Sequence, residues 1–208
     1  MRLILASTSP RRKEILSLSG LPFEVIPPDY HEKLSPSRSA RQEARHHAAE
    51  KALSVAVRFP DDIIIGSDTL IELENEKIGK PKDTTHAKAI LKKLSGQTHV
   101  IYTAAAVVAG RDHPGDVIVE PIRVTMNPYT DADIAAYVAA GEGMDKAGAY
   151  SLQGQGRDLI EWLEGDYLAA VGLPLRGVVL ALQKAGLEPK VDVEVIYRHR
   201  TFMNWSTF

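Results

Sequence analysis

The sequence predicts a mixed α/β fold, and three observations carry that expectation. Short apolar runs at residues 3–5 and 63–65 have the length of buried strands. Around them stand helix signals: Pro10 behind Ser9, a small-residue face of Ala44, Ala48, Lys51, Ala52 and Val55, and Pro174 ahead of a last apolar stretch. Residues 98–126 then read as a long strand, a turn and a return strand. Strands and crossovers therefore occur in both halves of the 208 residues, a length that supports a substantial core.

Taken in order, the first strand is expected at residues 2–6. The turn in "ASTSP" opens a helix over 10–19, with Ser9 as N-cap, Pro10 where its missing N–H costs nothing, and Gly20 as the stop. "FEVIP", residues 23–27, is a second short strand, and residues 39–57 form a helix broken at Pro60. Residues 63–65 are a central strand, followed by a hairpin in "LIELENEKIG" that turns at Glu74 and Asn75. Thr84 is expected to cap a helix through Leu94, stopped by Gly96. A strand over 98–110, the turn "RDHPGD" and a return strand over 117–126 come next. Thr130 and Asp133, at N-cap and N3 spacing, open a helix reaching about Ala140. After the loop "GEGMDKAGAYSLQGQG", residues 158–163 and 167–171 read as a hairpin through Glu164 and Gly165, and Pro174 opens a helix toward Lys184. There is no internal repeat. The final "VDVEVIYRHRTFMNWSTF" alternates from Val191 to Tyr197, which suits an edge strand, a dimer arm or a disordered end. An ordered packing element is favoured, because Phe202, Trp205 and Phe208 would otherwise be exposed.

Composition removes several function classes. The formal net charge of -2 argues against a bulk nucleic-acid binder. The absence of cysteine removes disulfides, thiolate nucleophiles and sulfur-ligated zinc. Charged "RRKE" arrives too early for an apolar signal region and no later run approaches a membrane span, so the expectation is a cytoplasmic protein with no membrane or nucleic-acid partner. No Gly-x-x-x-x-Gly-Lys loop, dinucleotide-binding fingerprint, His-Glu-x-x-His pair or Gly-x-Ser-x-Gly elbow occurs, which makes activated water the economical chemistry. His46 and His47 point to different helix faces, against a shared metal site.

Four stretches can carry chemistry. Arg11 and Arg12 fall in a first helical turn, where the macrodipole disfavours cations; an anion resolves the conflict, and the alternative is two solvated arginines. Asp68 follows an apolar strand and a glycine, where a carboxylate can hold a divalent cation or deprotonate water, although a turn residue reads the same way. Ser67 and Thr69 add hydroxyls beside it. Lys80, between Gly79 and Pro81, suits phosphate as a point charge. Gln153, in a loop with Gly143, Gly148, Gly154 and Gly156, offers an amide donor and acceptor to a base edge, the alternative being a plain surface loop.

Together, "LILASTSPRRKEIL", "IIIGSDTLIELENEKIGKP", "LKKLSGQTHVIYTA" and "MDKAGAYSLQGQG" with "GDYLAAVGLPL" resemble, in this order from Leu3 to about Leu187, the Maf family of nucleoside triphosphate pyrophosphatases. The resemblance implies an ITPase-like α/β architecture, an elongated mixed sheet with flanking helices and two lobes around a central cleft. Residues 1–208 would be one such domain, with residues 188–208 as a C-terminal extension. It implies hydrolysis between the α and β phosphates of dTTP and UTP, extending to modified pyrimidine triphosphates, in a homodimer. Asp68 would be the catalytic carboxylate, acting as proton acceptor or through metal, and Glu32 would join it in holding Mg2+ or Mn2+. Arg12 and Lys80 would contact phosphates, with Ser7, Ser9, Lys51, Asp145 and Lys146 completing the polar lining. Arg11, Thr69 and Gln153 match the dTTP/UTP branch, where the 7-methyl-GTP branch carries a bulky residue, glutamine and glutamate. Ser151 in place of a glycine, Ser67 in place of an alanine and the tail beyond Leu187 depart from the family pattern. A 7-methyl-GTP-type or broad-specificity pyrophosphatase and a non-catalytic nucleotide-binding regulator of cell division are the competing readings.

Overall fold

The computed structural model describes residues 1–109 and 113–208. Its strands are β1 (Leu3–Ala6), β2 (Glu24–Val25), β3 (Ile63–Leu73), β4 (Glu76–Ile78), β5 (Thr98–Ala109), β6 (His113–Met126) and β7 (Ile160–Glu164). Its helices are α1 (Pro10–Ser17), α2 (Ala40–Ala56), α3 (Thr84–Leu94), α4 (Asp131–Ala140), α5 (Tyr167–Val171), α6 (Leu175–Lys184) and α7 (Val193–His199). The strands form one mixed sheet in the order β2-β1-β3-β5-β6-β7, with β4 added to β3. β1 runs parallel to β2 and β3, whereas β3, β5, β6 and β7 pair antiparallel.

One face of the sheet is covered by α2, whose Ala40, Ala44, Ala48, Ala52 and Val55 are fully buried against Ile4, Ile64 and Ala104. Small residues on both sides let the backbones approach. At Gly66 of β3 an added Cβ would stand 2.2 Å from the Ala48 carbonyl oxygen and 2.5 Å from the Ala52 nitrogen, so only glycine fits there. The other face carries the larger core, built from Leu5, Ile65, Leu91, Ile122, Leu168 and Leu182 among others.

Register decides where the sheet opens. β1 pairs β3 over Ile63 to Gly66, and β4 pairs it over Ile71 to Leu73, so neither ladder covers residues 67–70 on that side. β5 pairs the opposite edge throughout, with Asp68 facing Ala104. Residues 68–70 thus lie on the floor of a crevice beyond the end of β1.

Several sequence expectations need correction. Asp68 does not follow a three-residue strand; it lies inside the continuous β3, which the long β5 ladder keeps extended through Glu72. Asp83, not Thr84, caps α3 by accepting from the His86 N–H. Ser9 occupies the N-cap position of α1, but its side chain makes no capping hydrogen bond. Residues 167–171 form α5 rather than a hairpin strand: Asp166 caps it through the Ala169 N–H, and Gly172 ends it. The alternating segment near Val191 is also helical, since Asp192 caps α7 and Ile196 is its buried anchor. Its aromatics do pack, with Trp205 buried and its ring centroid 5.7 Å from that of Tyr167. The hairpin turn at Glu74 and Asn75 is as expected, both with positive φ, as is the Thr130–Asp133 capping box. Residues 111 and 112 of the expected turn "RDHPGD" lie outside the described residues, and β6 begins at His113 rather than at residue 117.

Candidate active site

A cleft of about 710 Å³ opens over the floor formed by Asp68, Thr69, Leu70 and Ile71. Every residue assigned to the site by the family resemblance lines it: Ser7, Ser9, Arg11, Arg12, Glu32, Lys51, Asp68, Thr69, Lys80, Asp145, Lys146 and Gln153. Ser67, also noted for its hydroxyl, is fully buried and does not line it.

The deepest charges are Asp68 and Lys51, 4% and 6% exposed. Lys51 stands on α2 between Ala48 and Ala52, the two residues that approach Gly66, and its Nζ donates to Asp68 Oδ1 at 2.6 Å. The same Nζ lies 2.5 Å from Glu32 Oε1 and 3.4 Å from the Ser67 carbonyl oxygen. Burial pushes the Glu32 carboxyl up, but the Lys51 ammonium and then Lys80 pull it further down, leaving it below the usual carboxylate range. Both carboxylates are therefore gathered around one cation. Asp68 Oδ2 is buried and has no hydrogen-bond partner among the described residues. An unpaired buried carboxylate oxygen on a cleft-lining residue is an acceptor, or a metal ligand, awaiting a partner.

Arg12 crosses from α1 to the end of α5. Its Nε donates to the Gly172 carbonyl at 3.0 Å, and its terminal nitrogens lie 3.4 Å from Ser7 Oγ and from Thr69 Oγ1. The Gly172 carbonyl also accepts from Ser67 Oγ at 3.0 Å. Burial lowers the Arg12 guanidinium from its ordinary value while Asp68 and Glu32 oppose the change, and a guanidinium remains charged throughout. The conflict with the α1 dipole is thus met in part by a helix-end carbonyl and by nearby carboxylates.

The far end of the cleft has a different character. Arg11 Nε donates to Gln153 Oε1 at 2.7 Å, and the Gln153 backbone N–H donates to Ser151 Oγ at 3.1 Å. Ile71, Ile101 and Tyr150 supply apolar surface. At the rim, Lys146 pairs with Asp145 and reaches the Glu142 carbonyl.

Sequence reading missed other participants. Glu43, His47 and Lys51 recur every four residues on the buried face of α2, a spacing that makes them neighbours. His47 Nδ1 lies 2.7 Å from the hydroxyl of Tyr30, which lines the cleft two residues before Glu32. Burial holds the His47 imidazole below its ordinary pKa, against Asp68, Glu43 and Glu32. Thr103, fully buried on β5, lies 3.1 Å from Thr69 through the two hydroxyls. The four-residue recurrence was legible in the sequence; the Thr69–Thr103 pair needed the β3–β5 register.

Guanidinium and ammonium groups converging on a buried carboxylate at the open end of a mixed sheet define an α/β protein equipped for a polyphosphate ligand. Residues 2–185 match the Maf family profile, described as Maf-like protein, and the chain belongs to that family. A dTTP/UTP pyrophosphatase of Aquifex aeolicus (strain VF5) is 44% identical over 189 residues, covering 90% of this chain and 97% of its own length. A dTTP/UTP pyrophosphatase of Bacillus cereus (strain AH820) is 39% identical over 187 residues, covering 90% and 97%. Among solved structures, a Ham1 protein of Staphylococcus aureus aligns over 78% of this chain and 81% of its own at 15% identity, with a TM-score of 0.48.

Family membership implies a metal-dependent pyrophosphatase mechanism. Among the described residues no group of three or more His, Asp or Glu side chains could hold an ion alone. Two carboxylates, one with a free buried oxygen, still suit a hard divalent cation whose remaining ligands are water and substrate phosphates, which is how Mg2+ is commonly bound. Among the described residues no helix is long and apolar enough to cross a membrane.

Proposed function

We propose that this protein is a pyrophosphate-releasing hydrolase that converts dTTP and UTP, with modified pyrimidine triphosphates, to the nucleoside monophosphate and pyrophosphate. The observation that carries the reading is the cleft itself, with Asp68, Lys51 and Glu32 at one end and an oriented amide at the other. Water attacks the α phosphorus, the bond to the bridging oxygen breaks, and pyrophosphate leaves with one proton released. Asp68, with its free Oδ2, takes the proton of that water, or it would hold a divalent cation that would position the water. Arg12 and Lys80 stabilise charge that develops on the leaving pyrophosphate. Lys51 holds both carboxylates in place. Ser7, Ser9, Asp145 and Lys146 complete the polar lining. When bound by Asp68 and Glu32, Mg2+ or Mn2+ supplies charge neutralisation at the phosphates.

Base selection has a simple electrostatic origin. Arg11 offers only donors, so the Gln153 oxygen turns to it and the NH2 end remains for the ligand. Thymine and uracil present carbonyl acceptors on both sides of N3, whereas cytosine presents an amino group on one side. Thr69 completes this reading from the cleft floor. We take residues 1–208 as one domain of two lobes with residues 188–208 as an extension, and, from family resemblance, as a cytoplasmic homodimer without nucleic-acid or membrane partners.

Product analysis on the purified chain with Mg2+ or Mn2+ across dTTP, UTP, CTP, GTP, ATP and 7-methyl-GTP tests the reading. Pyrophosphate release that prefers dTTP and UTP is expected. Release led by another nucleotide discards the base assignment, and tight binding without release from any discards the enzyme.

A further inference from the structure

The chain beyond the family match returns to the loop that carries Gln153. The match ends at residue 185, and the following segment passes through α7 to Asn204, which stands in the left-handed region at φ 61°. Its Nδ2 donates to the Leu152 carbonyl at 3.3 Å and to the Gly154 carbonyl at 3.4 Å. These residues flank Gln153 on either side. Only the NH2 end of the amide can face two carbonyl oxygens, so the orientation of Asn204 is determined by its partners.

The anchor behind Asn204 is built into the core. Trp205 is buried against Tyr167, and the Tyr167 hydroxyl donates to the Met203 carbonyl at 2.5 Å. Arg157, at the far end of the same loop, donates to Thr207 Oγ1 at 2.9 Å and to the Thr207 carbonyl at 2.8 Å. From the opposite side Glu142 accepts the N–H groups of Gln155 and Gly156, each at 3.1 Å. The Gln153 peptide is therefore held between α4's trailing loop and the C-terminal segment.

We propose that Asn204 is a positioning residue for nucleotide selection, fixing the two peptide planes around Gln153 so that its amide is already aimed before the base arrives. This deepens, and rests on, the reading of Gln153 as the base-selecting group. Preorganisation of this kind lowers the ordering cost of binding without touching the chemical step. It therefore acts on KM for the favoured bases and leaves kcat alone.

The test is steady-state kinetics of the full chain on dTTP, UTP and CTP, with thermal melts, for wild type, Asn204→Gly, Asn204→Asp and Gln153→Glu. Glycine keeps the left-handed backbone without the donor, and aspartate keeps the shape but turns an anion toward two carbonyls. For Asn204→Gly we expect KM for dTTP and UTP to rise about fivefold, with kcat within about twofold and KM for CTP little changed. Asn204→Asp is expected to do at least as much. Unchanged KM in both variants while Gln153→Glu alters the dTTP/CTP preference overturns the role of Asn204. An equal rise for all three nucleotides also overturns it, because a merely structural brace would act on all alike. If wild type shows no base preference, or Gln153→Glu leaves it intact, base selection by Gln153 falls, and the role of Asn204 with it.

Discussion

At the Asp68 end of the cleft Asp68 and Lys51 stand on a strand and a helix whose backbones touch at Gly66; at the Gln153 end the selecting amide stands on a loop braced by side chains from elsewhere. The first arrangement is rigid because no atom can be added between Ala48, Ala52 and Gly66. The second is held by individual hydrogen bonds, from Arg11, Ser151, Glu142 and Asn204. Chemistry on a phosphorus tolerates little displacement, whereas base choice requires only a correctly facing amide. Placing reaction on packed backbone and selectivity on a braced loop lets one change without the other.

Four substitutions or conditions can break that division. The largest effect is expected from Asp68→Asn, which removes the charge and keeps the shape: kcat on dTTP should fall about 10³-fold or more with the fold retained. A folded variant turning over at the wild-type rate with metal present removes Asp68 from the mechanism. Lys51→Met should lose activity and stability together, because it leaves Asp68 buried without its cation; denaturant titration should register about 3 kcal/mol. A variant as stable as wild type would mean that the carboxylates find another partner.

Acid should affect the selectivity end through its support. Burial holds His99, whose Nε2 lies 2.7 Å from the Tyr150 hydroxyl, down to about 4 from its ordinary 6.5. The unfolded chain therefore takes up this proton first. The contribution of His99 is complete above about 6.5 and is lost as the pH falls toward about 4, with an upper bound of about 3 kcal/mol. His99→Gln should flatten the stability profile across that interval, and an unchanged profile would place the sensitivity elsewhere. The smallest effect is expected from Gln153→Glu. Without an amide donor, preference for dTTP and UTP over CTP should narrow about tenfold while stability stays close to wild type. A retained preference would transfer selection to Thr69 or Tyr150.

The elements were legible to different degrees for identifiable reasons. The α2 face of alanines, the Thr130–Asp133 capping box and the turn at Glu74 and Asn75 are local patterns, and each stands where its spacing puts it. Residues 167–171 misread as a strand, and the alternation from Val191 to Tyr197 suited an edge strand among other readings, because short apolar segments lack the length to display a helical period; the Asp166 and Asp192 caps outweigh the apparent alternation.

By itself the sequence determined the α/β class from local spacing and, through motifs that resemble a known family, many of the residues that line the cleft. Only the tertiary structure decided how they act on one another. That Lys51 meets both Asp68 and Glu32, that Arg11 orients the Gln153 amide, and that Asn204 brackets Gln153 depend on contacts between residues as far as 142 positions apart. Such contacts follow from strand register and backbone approach, and no local pattern encodes them.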